Sequence, residues 1–222
     1  DEAVASFRRA LALQPDFPKA LSNLGNALVT QGRLDEAVAC FRRALALQPD
    51  FANAHNNLGI PLTQLGQFDE ALACFRQALA LKPDFAEAHN NLGKLFKERG
   101  QLDEALACFE QALARRPDFT EAQNNLGGVF KDRGQPDEAH ACYRRALALR
   151  PDYATAHSNL ILALHYRSGH ETGEIDAELR RWNQQHARPV AAFIRPHAND
   201  RSPDRPLRVG YLSCDFKLHS VA

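Results

Sequence analysis

Residues 52–85 read ANAHNNLGIPLTQLGQFDEALACFRQALALKPDF, and near-copies of this stretch fill most of the chain at a spacing of 34 residues. Its hexapeptide AHNNLG at 54–59 returns as ALSNLG at 20–25, AHNNLG at 88–93, AQNNLG at 122–127 and AHSNLI at 156–161. Pro15, Pro49, Pro83, Pro117 and Pro151 keep the same period, as do Gly32, Gly66, Gly100 and Gly134. A fixed repeat of this length marks a stacked array, in which each unit buries an apolar face against the next. The whole units are 18–51, 52–85, 86–119 and 120–153, with a half unit at 1–17 and an altered, capping one at 154–187. Residues 188–206, with Pro189, Pro196, Pro203 and Pro206, read as an irregular linker.

Each unit carries two apolar stripes at helical spacing. Ala54, Leu58 and Leu62 recur at intervals of four, and Ala71, Phe75, Ala78 and Leu79 repeat the pattern farther along. Gly66 separates the two helices, Asp69 and Glu70 place negative charge in the first turn of the second, and Pro83 stops it. Pro61 falls inside a first helix and predicts a kink near the Asn57 carbonyl. Pro136 falls in a first turn, where proline is tolerated.

This order of leucine, glycine, alanine, phenylalanine, alanine and proline resembles the tetratricopeptide repeat over roughly residues 1–166. The resemblance implies an all-α fold: antiparallel helix pairs stacked into a right-handed superhelix whose inner, concave wall is formed by the first helix of each pair.

Composition excludes some functions. Lys plus Arg and Asp plus Glu both number 27 among 222 residues, so no net field draws the chain to nucleic acid or anionic lipid. No apolar run approaches the ~20 residues that cross a bilayer. Methionine is absent, and the opening DEAVASFRRALALQPDF matches DEAVACFRRALALQPDF at 35–51 in all but one residue. The chain is therefore expected to start inside a unit, with any targeting segment upstream. Cys40, Cys74, Cys108 and Cys142 fall one per unit. Equivalent places in stacked units lie ~10 Å apart, too far for a bridge, so these residues read as small buried apolar groups in a cytoplasmic protein.

The asparagines are the departure from good helix formers, since each costs up to ~0.7 kcal/mol relative to alanine in a helix interior. At about 100° per residue, Asn53, Asn56, Asn57, Ile60 and Gln64 fall opposite the apolar stripe. On the resemblance above, Asn23, Asn57, Asn91, Asn125 and Asn159 then form one column along the concave wall, a candidate peptide-binding site. An amide offers a donor and an acceptor to an extended backbone whatever its side chains, so recognition is tolerant of sequence. The alternative role is bonding within or between neighbouring helices, above all for Asn56, Asn90 and Asn124. The face is mixed in charge, with Lys94, Lys97 and Lys131 against Glu87, Glu98, Glu121 and Asp132. Ser22, Asn56 and Asn90 stand where a terminal-carboxylate clamp of this family would lead with lysine. His55, His89 and His157 recur at one place and are read as helix-packing residues, too far apart to share a metal. His165 and His170 flank a turn.

After Tyr166 the period stops. EIDAELRRWNQQHA at 174–187 reads as a helix that caps the last unit through Trp182, and LRVGYLS at 207–213 reads as a short strand. The ending RPLRVGYLSCDFKLHSVA, directly after such an array, resembles the entry to the catalytic region of O-linked N-acetylglucosamine transferases. The matching residues are Leu207 to Tyr211, Asp215, Phe216 and His219. The resemblance implies that 207–222 opens an α/β glycosyltransferase region, that His219 is an active-site residue, and that the donor is a uridine diphosphate sugar such as UDP-GlcNAc. It also implies two nucleotide-binding-type lobes that this sequence does not contain, so the 222 residues alone are expected to bind no cofactor and to be inactive. No metal motif, phosphate loop or nucleophile elbow is present in the sequence. The competing reading is a non-enzymatic scaffold for protein assemblies.

Overall fold

The structure is a computed structural model that describes residues 2–167 and 172–191. Helix α1 (Glu2–Leu13) is followed by the pairs α2 (Pro18–Thr30) and α3 (Leu34–Leu47), α4 (Ala52–Gln64) and α5 (Phe68–Leu81), α6 (Ala86–Glu98) and α7 (Leu102–Arg115), and α8 (Thr120–Asp132) and α9 (Pro136–Leu149). Then come α10 (Ala154–Tyr166), α11 (Thr172–Trp182), a π-helical turn at Asn183–Ala187 and α12 (Arg188–Ala191). Every described element is helical. The strand expected at 207–213, the rest of the glycosyltransferase-like segment and His219 lie outside the described residues.

Two glycines per unit set the geometry. Gly66 closes the first helix at φ +75°, the left-handed region that penalises a Cβ. Its N–H bonds to the Thr63 carbonyl while the Gln67 N–H reaches back to Leu62, so the carbonyls at the helix end are satisfied. The same cap recurs at Gly32, Gly100 and Gly134. Gly59 does different work: a Cβ there would lie 2.5 Å from the Phe75 ring, so an edge of the ring packs against the α4 backbone. Phe41, Phe109 and Tyr143 repeat this contact on Gly25, Gly93 and Gly127.

The core runs without break from Val4 to Cys142 between the two helix layers. Ala54, Ala71, Ala78, Leu62 and Phe75 are buried, and each has a buried counterpart in neighbouring units. Burying a phenylalanine contributes roughly 1.5–3 kcal/mol, so one ring per unit is a large share of each unit's cohesion. First helices of successive pairs touch one another along the stack, α2 to α4 to α6 to α8 to α10, whereas α3, α5, α7 and α9 pack on first helices. The first helices therefore line the more tightly spaced, inner side.

Helix α4 continues through Pro61 with the 13-residue span of its sisters. The Pro61 ring fills the buried place that Leu95 and Val129 hold elsewhere. Residues 188–191, expected in the irregular linker, are helical and continue directly from the π-helical turn. Pro136 stands in the first turn of α9, where its missing N–H is not needed.

Candidate peptide-binding channel

The asparagine column is tied to a second, hidden column. Asn91 Nδ2 donates to Asn56 Oδ1 at 3.0 Å, Asn125 to Asn90 at 2.9 Å and Asn159 to Asn124 at 3.0 Å. Each partly exposed amide of one first helix is thus held by a buried amide of the preceding one, Asn56, Asn90 and Asn124 being only 4%, 6% and 7% exposed. Sequence placed Asn56 with Asn57 on the open side; the neighbouring helix covers it instead. At the first interface Ser22 replaces the acceptor amide, and among the described residues no such bond reaches it. There Asn56 Nδ2 donates to Asn57 Oδ1 at 3.0 Å. Asn23, at the start of the column, is exposed.

Beside this ladder, equivalent grooves open between successive first helices. One between α4 and α6 is lined by Ile60, Thr63, Gln64, Asn91, Lys94 and Glu98. The next, between α6 and α8, is lined by Lys94, Lys97, Glu98, Asn125 and Asp132. The charge of this wall is less balanced than its sequence suggests. Glu87 and Glu121 are taken up by Arg116 at 2.8 Å and Arg150 at 2.9 Å, arginines that precede the next unit and also stack on Phe119 and Tyr153. Glu98 and Asp132 are left facing Lys94, Lys97 and Lys131. Asp132 is shared, 3.2 Å from Lys97 and 3.6 Å from Lys131.

Residues 1–32, 25–60 and 62–98 match a TPR repeat family, and 84–152 and 129–188 match tetratricopeptide repeat families. The chain belongs to the tetratricopeptide repeat family. Its fold is similar to that of a thermophilic TPR protein of Thermus thermophilus, at 26% identity over 73% of this chain and 89% of that one, with TM-score 0.68. It is also similar to MamA, at 18% identity over 81% and 97% of the two chains, TM-score 0.65. A third likeness is to YrrB, a TPR protein with an unusual peptide-binding site, at 22% identity over 84% and 95%, TM-score 0.59. Comparison with curated proteins returns no match.

The histidines of the TPR units bind structure together. His55 Nε2 lies 2.9 Å from the Pro49 carbonyl and His89 Nε2 lies 3.1 Å from that of Pro83, pinning each first helix to the loop before it. In the last unit Gln185 takes the Pro151 carbonyl and His157 turns to the cap, 2.9 Å from Glu178 and 3.1 Å from His186. Trp182 donates to Ser158 Oγ at 3.1 Å, at the place where Asn56, Asn90 and Asn124 stand in the other units. His165 Nδ1 bonds its own helix at Ile161 O, 2.8 Å away, and His170 lies outside the described residues. Among the described residues no group of three His, Cys, Asp or Glu side chains is placed to hold a metal, and no helix is long and apolar enough to cross a membrane. Burial pushes the thiols of Cys74, Cys108 and Cys142 up to about 11, which leaves them protonated and unreactive at neutral pH.

The hidden column takes the alternative role read from the sequence for Asn56, Asn90 and Asn124, bonding between neighbouring helices, whereas Glu178 was missed. The first had a signal, because Ser22, Asn56, Asn90, Asn124 and Ser158 put a small polar residue at one place in every unit. Glu178 had none, since it lies beyond the periodic region.

Proposed function

We propose that the chain binds extended polypeptide segments along the inner channel, through the column Asn23, Asn57, Asn91, Asn125 and Asn159. The observation that carries this reading is the ladder. Each of Asn91, Asn125 and Asn159 gives one N–H to a buried amide, which fixes the orientation of its side chain and leaves a second N–H and the carbonyl oxygen for a ligand backbone. A pre-oriented amide loses little entropy on binding. If each contact nets ~0.5–1.5 kcal/mol, three of them change affinity by roughly ten- to a thousandfold. The likeness to YrrB supports a peptide ligand.

The expected outcome of changing Asn57, Asn91 and Asn125 together to alanine is a loss of affinity in that range for unstructured peptides, measured by fluorescence anisotropy with helicity checked by circular dichroism. Unchanged affinity in a folded variant sinks the reading.

The finer assignment is that this array presents protein substrates to an O-linked N-acetylglucosamine transferase-like enzyme. It rests on the segment 207–219 following the array directly. His219 would then position or relay a proton at an acceptor serine or threonine hydroxyl, with a UDP-sugar such as UDP-GlcNAc as donor. The test is transfer from UDP-GlcNAc by a protein that contains this chain joined to an intact catalytic region, with His219→Ala as the control. If the gene beyond Ala222 encodes no nucleotide-binding lobes, the array is a scaffold instead.

A further inference from the structure

The groove between α8 and α10 differs from its two equivalents in its lining. It encloses about 410 Å³, against about 340 Å³ between α6 and α8 and about 80 Å³ between α4 and α6, and is lined by Lys131, Gly134, Pro136, Leu162, Ala163 and Tyr166. Three of these residues break the repeat pattern. At the place of Leu162 the preceding units carry Asn26, Ile60, Lys94 and Gly128, and at the place of Tyr166 they carry Thr30, Gln64, Glu98 and Asp132. Pro136 stands where Leu34, Phe68 and Leu102 stand. Tyr166 thus enters the channel wall where every preceding unit is polar, Leu162 stands beside it where the preceding units share no residue type, and a bulky wall residue is replaced by a compact ring, all around one cavity. Leu162 and Tyr166 remain 41% and 66% exposed.

The charge at the rim is incomplete. Lys131 lies beside the apolar lining and shares the carboxylate of Asp132 with Lys97, so two ammonium groups face one carboxylate. A second carboxylate, brought by a ligand, completes the pairing.

We propose that this cavity is the specificity pocket of the channel, and that it takes a large apolar or aromatic side chain from an extended segment carrying an Asp or Glu two residues away, which pairs with Lys131. Side chains two residues apart on an extended strand lie on one side, about 7 Å from each other, which matches an apolar anchor in the cavity and a carboxylate at its rim. A cavity of this size lies in the range that buries most of a small ligand. The proposal rests on the reading of the channel as a peptide site and adds selectivity to a column that is tolerant of sequence.

The test uses the whole chain and a labelled Ser/Thr-rich peptide bearing a single Asp-Thr-Phe, with two counterparts in which Phe becomes Ala or Asp becomes Asn. The native chain is expected to favour the Phe probe over the Ala probe by about tenfold or more, as burial of an aromatic ring implies. Leu162→Asn with Tyr166→Gln installs residues that sister units already carry, and abolishes the preference for Phe. Pro136→Leu, also a sister residue, crowds the cavity from its wall and acts in the same direction. Lys131→Thr, the residue of the 52–85 unit, abolishes the preference for Asp over Asn. Equal binding of the Phe and Ala probes by the native chain overturns the pocket, as does a preference that survives both wall variants. Binding of all probes that ignores the alanine changes at Asn57, Asn91 and Asn125, or no binding at all, overturns the channel reading and the pocket with it.

Discussion

A Cβ built on Gly59 lies 2.5 Å from the Phe75 ring, and the corresponding contact at Gly25, Gly93 and Gly127 is no longer than 2.8 Å. At residue scale this is why the position admits no side chain: the obstacle is a fully buried ring, not the flexible end of a surface group. Gly59→Ala is expected to lower the unfolding free energy by about 1–3 kcal/mol, the usual range for overpacking, as read from the urea midpoint. Adding Phe75→Leu, which removes the obstructing ring edge, is expected to make the Ala substitution less costly than it is beside Phe75. An alanine equally harmful in both backgrounds contradicts the packing account. The small residue at this place and the large one sixteen residues farther on were both legible in the repeat; that the ring sits directly on this glycine was not.

At the scale of elements, the cap on α10 is held by a buried imidazole. His157 is 3% exposed and packed against Glu178 of α11 and His186 of the π-helical turn. Arg181 pairs with Glu178 at 2.7 Å, and Arg144 of α9 approaches it at 4.0 Å. Burial lowers the His157 imidazole below its ordinary value near 6.5; Glu178 opposes this, and His186 and Arg181 add to it. With the folded value below the unfolded one, the unfolded chain binds more protons between them. Stability from this site is therefore complete above about 6.5 and is lost as the pH falls through the window beneath. His157→Gln, the residue that stands at 123 in the preceding unit, is expected to show a smaller drop in melting temperature between about pH 7 and about pH 5 than the native chain. His140, also lowered by burial, is common to both proteins, so the difference reports on His157. Identical pH profiles would remove His157 as the titrating group.

Over the whole molecule, each unit meets only its neighbours, so stability is close to a sum of unit and interface contributions. Removing residues 86–119 joins Phe85 to Thr120 in register. Asn125 then faces Asn56 in place of Asn90, an asparagine for an asparagine. The shortened chain is expected to stay folded and helical, with a lower melting temperature and a smaller urea dependence, because less surface is exposed on unfolding. A chain that loses its helical spectrum on this deletion would contradict nearest-neighbour stacking. The channel would shorten by one groove and keep the cavity at Pro136, Leu162 and Tyr166.

By itself the sequence determined the two helices of each unit, their turns and the single register in which the units stack, since a 34-residue period repeats the same apolar stripe and the same glycines. It also determined that one polar column runs along the first helices. Only the tertiary structure decided that Asn56 is buried while Asn57 is not, that Glu178 meets His157, and that Pro136, Leu162 and Tyr166 surround one cavity. The physical reason is that helical spacing fixes the direction of a side chain on its own helix, about 100° per residue. Whether that direction leads to water, to a neighbouring amide or to a groove depends on where the next helix lies.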